Sequence, residues 1–108
     1  ITDAQNIVKQ RYMEPDISLD EVCADLGVSN SYFSSIFKKE TGQPFVTYLT
    51  DYRMDRAEEL VLNTDEKSYK IADKVGYQDA NYFSYVFKKK FGVSSSKYRA
   101  SGKKENEK

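Results

Sequence analysis

Along residues 18–42 the apolar positions recur at three- and four-residue spacing. Leu19, Val22, Cys23 and Leu26 follow i, i+3, i+4, i+7, and Phe33, Ile36 and Phe37 resume the pattern after Gly27, as one buried face of successive helices does. Ser18, with Glu21 three residues on, forms a capping box that opens the first of these helices, and Gly27 closes it. Ser29 caps a second helix running to about Glu40, stopped by Gly42. The same logic returns later: a helix from about Ser68 to Val75, a break at Gly76, and a helix from Asp79 to about Phe91 ended by Gly92. Between them Phe45, Tyr48, Leu49, Tyr52, Ala57, Leu60 and Val61, preceded by Pro44, predict one long helix over about 44–62. A leading helix ends near Met13, because Pro15 blocks continuation, and "SSSKYRA" forms a short closing helix over about 94–100, capped by Ser94. The tail "GKKENEK" (102–108) has nothing to bury and is expected to be disordered. The expected fold class is all-α: seven helices without strands. They form two helix-turn-helix units (about 17–42 and 67–92) joined by a long linker helix, within one domain over 1–101.

The two units are copies. "VCADLG" (22–27) aligns with "IADKVG" (71–76), the second copy carrying one extra residue after its Gly, and 31–42 matches 81–92 at seven of twelve positions. At about 100° per residue, Phe33, Ile36 and Phe37 gather on one side, with Ser31, Ser34, Ser35 and Lys38 opposite. In the second copy Phe83, Val86 and Phe87 point inward and Asn81, Ser84, Tyr85 and Lys88 outward. The repeated letters are mostly the buried ones, and two that differ, Ser31 against Asn81 and Ser35 against Tyr85, lie outside. Taken singly, each outer face is ordinary solvated surface, and the lysines at the helix ends complement the macrodipole. Their combination points to duplex DNA: two such units, short outward side chains, flanking lysines, and a linker of about 30 Å against the roughly 34 Å between successive major grooves.

Composition narrows the alternatives. Of 108 residues 39% are apolar and 14% aromatic, so the core rests on Phe and Tyr, in one small domain or two lobes. No apolar run approaches the ~18 residues a membrane helix needs, and no signal peptide is expected among these residues. Beginning at Ile1 without a Met, the chain is expected to be a piece of something longer. The lone Cys23 excludes an internal disulfide and fits a reducing, cytoplasmic setting. Without any His, catalytic triads and His-ligated metal sites are excluded. No enzymatic activity, cofactor or metal is expected, and carboxylates such as Asp20 and Glu21 read as helix-start residues. Zero net charge argues at first against nucleic acid, but the balance is −4 over 1–30, −1 over 31–62 and +5 over 63–108, and the local field decides.

The segments "ISLDEVCADLGVSNSYFSSIFKKETGQPFVTYLTDYRMDRAEELV", "KIADKVGYQDANYFSYVFKKKFG" and the closing "KYR" resemble the DNA-binding domain of the AraC/XylS transcription regulators over about residues 3–100. "SYFSSIFKKETG" with "TDEKSYKIADKVGY" looks especially like the output domain of YesN-type response regulators. The family's closing helix starts with Pro where this chain has Ser95, which removes a favourable first helical residue. The resemblance implies a homeodomain-like tandem that binds duplex DNA upstream of promoters and contacts RNA polymerase. The second helix of each unit would lie in the major groove. The family's base-facing positions fall on Ser31, Ser34 and Ser35, and on Ala80, Asn81, Ser84 and Tyr85. Most of these also lie on the outward faces described above; Ala80 comes from the resemblance alone. Three serines imply weak or water-mediated readout by the first unit.

Lys38, Lys88, Lys89 and Lys90, with the helix starts near Ser18, Ser29 and Ser68, are the candidate phosphate contacts. Arg53 and Arg56 are expected in internal ion pairs with neighbouring acids, and Tyr48 and Tyr52 in packing. Activation is the expected sense of regulation, although the residues themselves leave repression open. The isolated domain is expected to be monomeric, any dimerisation belonging to a domain outside this chain. The rival reading is a helical protein-interaction module, favoured only by the low overall charge.

Overall fold

The structure, a computed structural model, describes residues 2–106, with side chains for 5–102. Seven helices follow one another: α1 (Thr2–Arg11), α2 (Leu19–Leu26), α3 (Asn30–Thr41), α4 (Phe45–Asn63), α5 (Ser68–Lys74), α6 (Ala80–Phe91) and α7 (Ser95–Asn106). No strand occurs among the described residues. The chain divides into two compact units, Ile1–Tyr52 and Arg53–Lys108.

In the first unit Val8 of α1, Ile17, Val22 and Cys23 of α2, Phe33 and Phe37 of α3, and Phe45 and Leu49 of α4 form one buried cluster. Its centre is aromatic. The Phe37 ring lies 5.5 Å from Phe33, 5.7 Å from Phe45 and 5.3 Å from Tyr48, centroid to centroid, the last two edge-on. Such contacts add to the area these rings bury. Tyr52 packs on Tyr12 at 5.1 Å, so both linker tyrosines serve packing as expected. Helix α1 ends at Arg11, two residues short of Met13, and Arg11 ties it to α2. Its guanidinium meets Glu14 at 3.0 Å, Glu21 at 2.5 Å and Asp25 at 2.9 Å. Ser18 Oγ accepts the Glu21 N–H at 3.2 Å. That is the forward half of the capping box, while the Glu21 carboxylate turns to Arg11.

The second unit buries Met54, Ala57 and Val61 of α4, Ile71 and Ala72 of α5, Val75 and Tyr77 of the turn, and Phe83 and Phe87 of α6. Helix α4 thus serves both cores, with Phe45 and Leu49 in the first and Met54, Ala57 and Val61 in the second. Met54 lies outside the expected stripe and is nonetheless fully buried. Ser94 Oγ accepts the Lys97 N–H at 3.3 Å, so the expected cap of α7 is present. Arg99 fastens α7 to the end of α4, donating from Nε to the Val61 carbonyl at 2.8 Å and from Nη2 to the Glu66 carbonyl at 2.7 Å.

The tail differs from expectation. Helix α7 continues to Asn106, so residues 102–106 are helical where disorder was expected from 102; residues 107 and 108 lie outside the described residues. Gly102 itself packs against the Leu62 side chain, so close that a Cβ there would collide with it.

Candidate nucleic-acid interface

Each unit presents one helix with a buried side and an exposed side, and the two sides repeat in register. From 31 to 42 and from 81 to 92, every position has the same degree of burial as its counterpart. Phe33 and Phe37 are buried like Phe83 and Phe87, and Ile36 is half-buried like Val86. Ser31, Ser34, Ser35 and Lys38 are exposed like Asn81, Ser84, Tyr85 and Lys88. The outward set read from the sequence is therefore the exposed set. Ala80 is half-buried at the first turn of α6.

Both helices start and stop by the same devices. Ser29 Oγ accepts the Tyr32 N–H at 3.2 Å. Asp79 Oδ1 accepts the Asn81 N–H at 2.9 Å and the Tyr82 N–H at 3.2 Å. At the far ends Gly42 and Gly92 adopt φ of 78° and 83° and donate their N–H to the Lys38 and Lys88 carbonyls. A left-handed residue closes a helix this way at least cost when it is glycine.

The cationic and cap residues differ in what surrounds them. Lys38 and Lys88 are exposed on the same faces as the outward side chains. Lys89 Nζ lies 5.9 Å from the centre of the Tyr85 ring. Lys90 turns away to the Asp55 carboxylate at 3.0 Å, as its place on the inward side of the helix dictates. Ser18 opens a helix whose first turn carries Asp20 and Glu21, an acidic neighbourhood for a phosphate. At α5 the cap position is Lys67, and Ser68 stands one residue inside with its hydroxyl 3.1 Å from that of Ser95. Charge divides with the units. Residues 1–52 hold four basic against eight acidic groups, and 53–108 thirteen against nine.

Arg56 pairs with Glu59 at 3.0 Å, as expected. Arg53 is buried, and its guanidinium lies 5.2 Å from the centre of the Tyr77 ring. Burial lowers its pKa from the ordinary arginine value, and attraction to Tyr77 draws it back up. Burial likewise raises the Cys23 thiol above its usual range, which makes it a poor nucleophile. Among the described residues no group of three or more Cys, Asp or Glu side chains is placed to hold a metal ion, and no helix is long and apolar enough to cross a membrane.

The profile of a family described as a helix-turn-helix domain matches residues 8–101 of this chain. The chain belongs to the AraC-type helix-turn-helix family. Domains of this family bind DNA and regulate transcription, which leaves the protein-interaction reading unsupported. Among curated proteins the chain is 37% identical over 86 residues to the HTH-type transcriptional regulator YtdP of Bacillus subtilis (strain 168), an alignment covering 80% of this chain and 11% of YtdP. Among solved structures it is similar to the C-terminal domain of the two-component response regulator yesN from Fusobacterium nucleatum. The TM-score is 0.86 at 40% identity, covering 89% of this chain and 93% of that one. It is also similar to the C-terminal domain of AraT, a response regulator from Geobacillus stearothermophilus, with TM-score 0.90 at 38% identity, covering 93% and 83%. The chain spans between 11% and 35% of the length of the curated relatives it matches first.

In this AraC-type chain, reading the sequence missed the rings behind the second outer face. Tyr82 is stacked on Tyr85, and Tyr77 lies between Tyr82 and Arg53. All three tyrosines are visible in the sequence, but their alignment depends on the turn that carries Tyr77, where the second copy has its extra residue.

Proposed function

We propose that this domain binds double-stranded promoter DNA sequence-specifically through the exposed faces of α3 and α6, each in a major groove, and so regulates transcription initiation. Base edges meet Ser31, Ser34 and Ser35 from α3, and Ala80, Asn81, Ser84 and Tyr85 from α6. Lys38, Lys88 and Lys89 hold phosphates, with Ser29 at a helix start. Lys90, Ser18 and Ser68 contribute less, since Asp55, the acids of α2 and Ser95 respectively compete for them. The effect is chiefly activation through RNA polymerase, exerted in the cytoplasm.

The observation that carries this reading is the position-by-position match in burial between 31–42 and 81–92. Two helices are held identically from behind while their fronts differ at Ser31 against Asn81 and Ser35 against Tyr85. A pair of structural helices has no need of different fronts, whereas two readers of different bases do. Selection of bound sequences from a random duplex pool tests it. Two short, unlike half-sites about one helical turn apart are expected. Recovery of no enriched motif would count against DNA reading, and a single unsplit motif against the bipartite form.

A further inference from the structure

We propose that Tyr82 is a positioning residue for base readout: as the middle member of a stack from the buried Arg53 through Tyr77 to Tyr85, it holds the Tyr85 ring in one orientation toward the base it contacts. This rests on the DNA-binding reading above and adds a specificity determinant to it.

The stack begins in the core. Arg53 lies over the buried Tyr77 ring. Tyr77 meets Phe83 at 5.7 Å and Tyr82 at 5.9 Å, so it is fixed from two sides. Tyr82 in turn meets Tyr85 at 6.3 Å with the rings only 28° from parallel, and Lys89 Nζ lies 5.9 Å from the Tyr85 ring. Tyr82, Tyr85 and Lys89 stand three and four residues apart, one row of side chains along the helix. Tyr82 is also held at its backbone, where its N–H reaches the Asp79 carboxylate.

The repeat supplies a control. Tyr32 occupies the equivalent place in α3, but the positions of Tyr85 and Tyr77 are there Ser35 and Val28. The stack exists only where the outermost residue is a ring. A flexible tyrosine on an exposed helix face loses rotamer freedom when it docks, and a ring already stacked from behind loses less. Such a ring offers an apolar face to a thymine methyl or a hydroxyl to a base edge.

The test uses the whole domain, the duplex recovered from the pool, and its single-base-pair variants. Tyr85→Ala is expected to lose about fivefold to a hundredfold in affinity for the selected duplex, and to lose discrimination at one base pair. Tyr82→Ala should lose discrimination at that same base pair, Tyr82→Phe should retain it, and the double variant should be no worse than Tyr85→Ala alone. Losses that multiply in the double variant would overturn the assignment, as would a Tyr82→Phe that weakens binding on every sequence, the mark of a hydroxyl on phosphate. A parent domain that binds no duplex would overturn the DNA-binding reading and this assignment with it.

Discussion

Asn81 is the outward residue of α6 with most to say about sequence. It is exposed at the first turn, its N–H is anchored on Asp79, and its side-chain amide can pair with adenine N6 and N7 together. Asn81→Ala is expected to cost about 1–3 kcal/mol at one base pair and little at the others. Binding curves on single-position variants of the selected duplex check this, and equal weakening on all of them would remove Asn81 from the readers. Its counterpart Ser31 offers a hydroxyl that several base edges satisfy, so the first unit is expected to tolerate more variation in its half-site. The outward residues were legible before any coordinates because their places follow from helical periodicity alone. The place of Arg53 over the Tyr77 ring was not, because that ring lies in the turn between α5 and α6, beyond the reach of local spacing.

At the scale of elements, the caps decide how the reading helices are held. Gly42 and Gly92 are both left-handed, with open space where a Cβ would stand. Substitution therefore carries the backbone strain and no clash. Gly42→Ala and Gly92→Ala are each expected to destabilise the fold by about 1–2 kcal/mol, measured by chemical denaturation; a neutral result would show that the helix ends relax. Helix α1 is joined to α2 by Arg11, whose hydrogen bond holds the Glu14 carboxyl below the usual value of 4.5. The folded chain thus takes up this proton less readily than the unfolded one. Its stabilising effect is complete above pH 4.5 and fades as pH falls through the lower folded value. The pair is exposed, so the effect is modest. Glu14→Gln is expected to flatten the acid limb of the stability profile, and an unaltered limb would place the acid sensitivity elsewhere. Helices α2, α3, α4 and α6 were readable within a residue or two from their caps and periodicity. The length of α7 was not, and the packing of Gly102 on Leu62, forty residues away in sequence, leaves no mark in local spacing.

For the whole molecule, zero net charge conceals an acidic unit followed by a basic one. The salt dependence of binding should therefore reside mainly in the second unit. Lys88→Ala is expected to flatten the slope of log affinity against log salt by about one counterion, and Lys90→Ala by less, because Asp55 already neutralises it. Equal effects would show that DNA frees Lys90 from Asp55. The duplicated inner face has a last consequence. Since neither core depends on Ser31, Ser34 or Ser35, the exterior of one copy is open to transplantation onto the other without refashioning the interior. A chimera bearing the α6 front on α3 would favour operators with duplicated halves, but it would inherit the ring's aim only if Val28 became tyrosine too. Divergence after an internal duplication would meet the same constraint: hydroxyls and amides can drift singly, while an aromatic reader has to arrive with its backing.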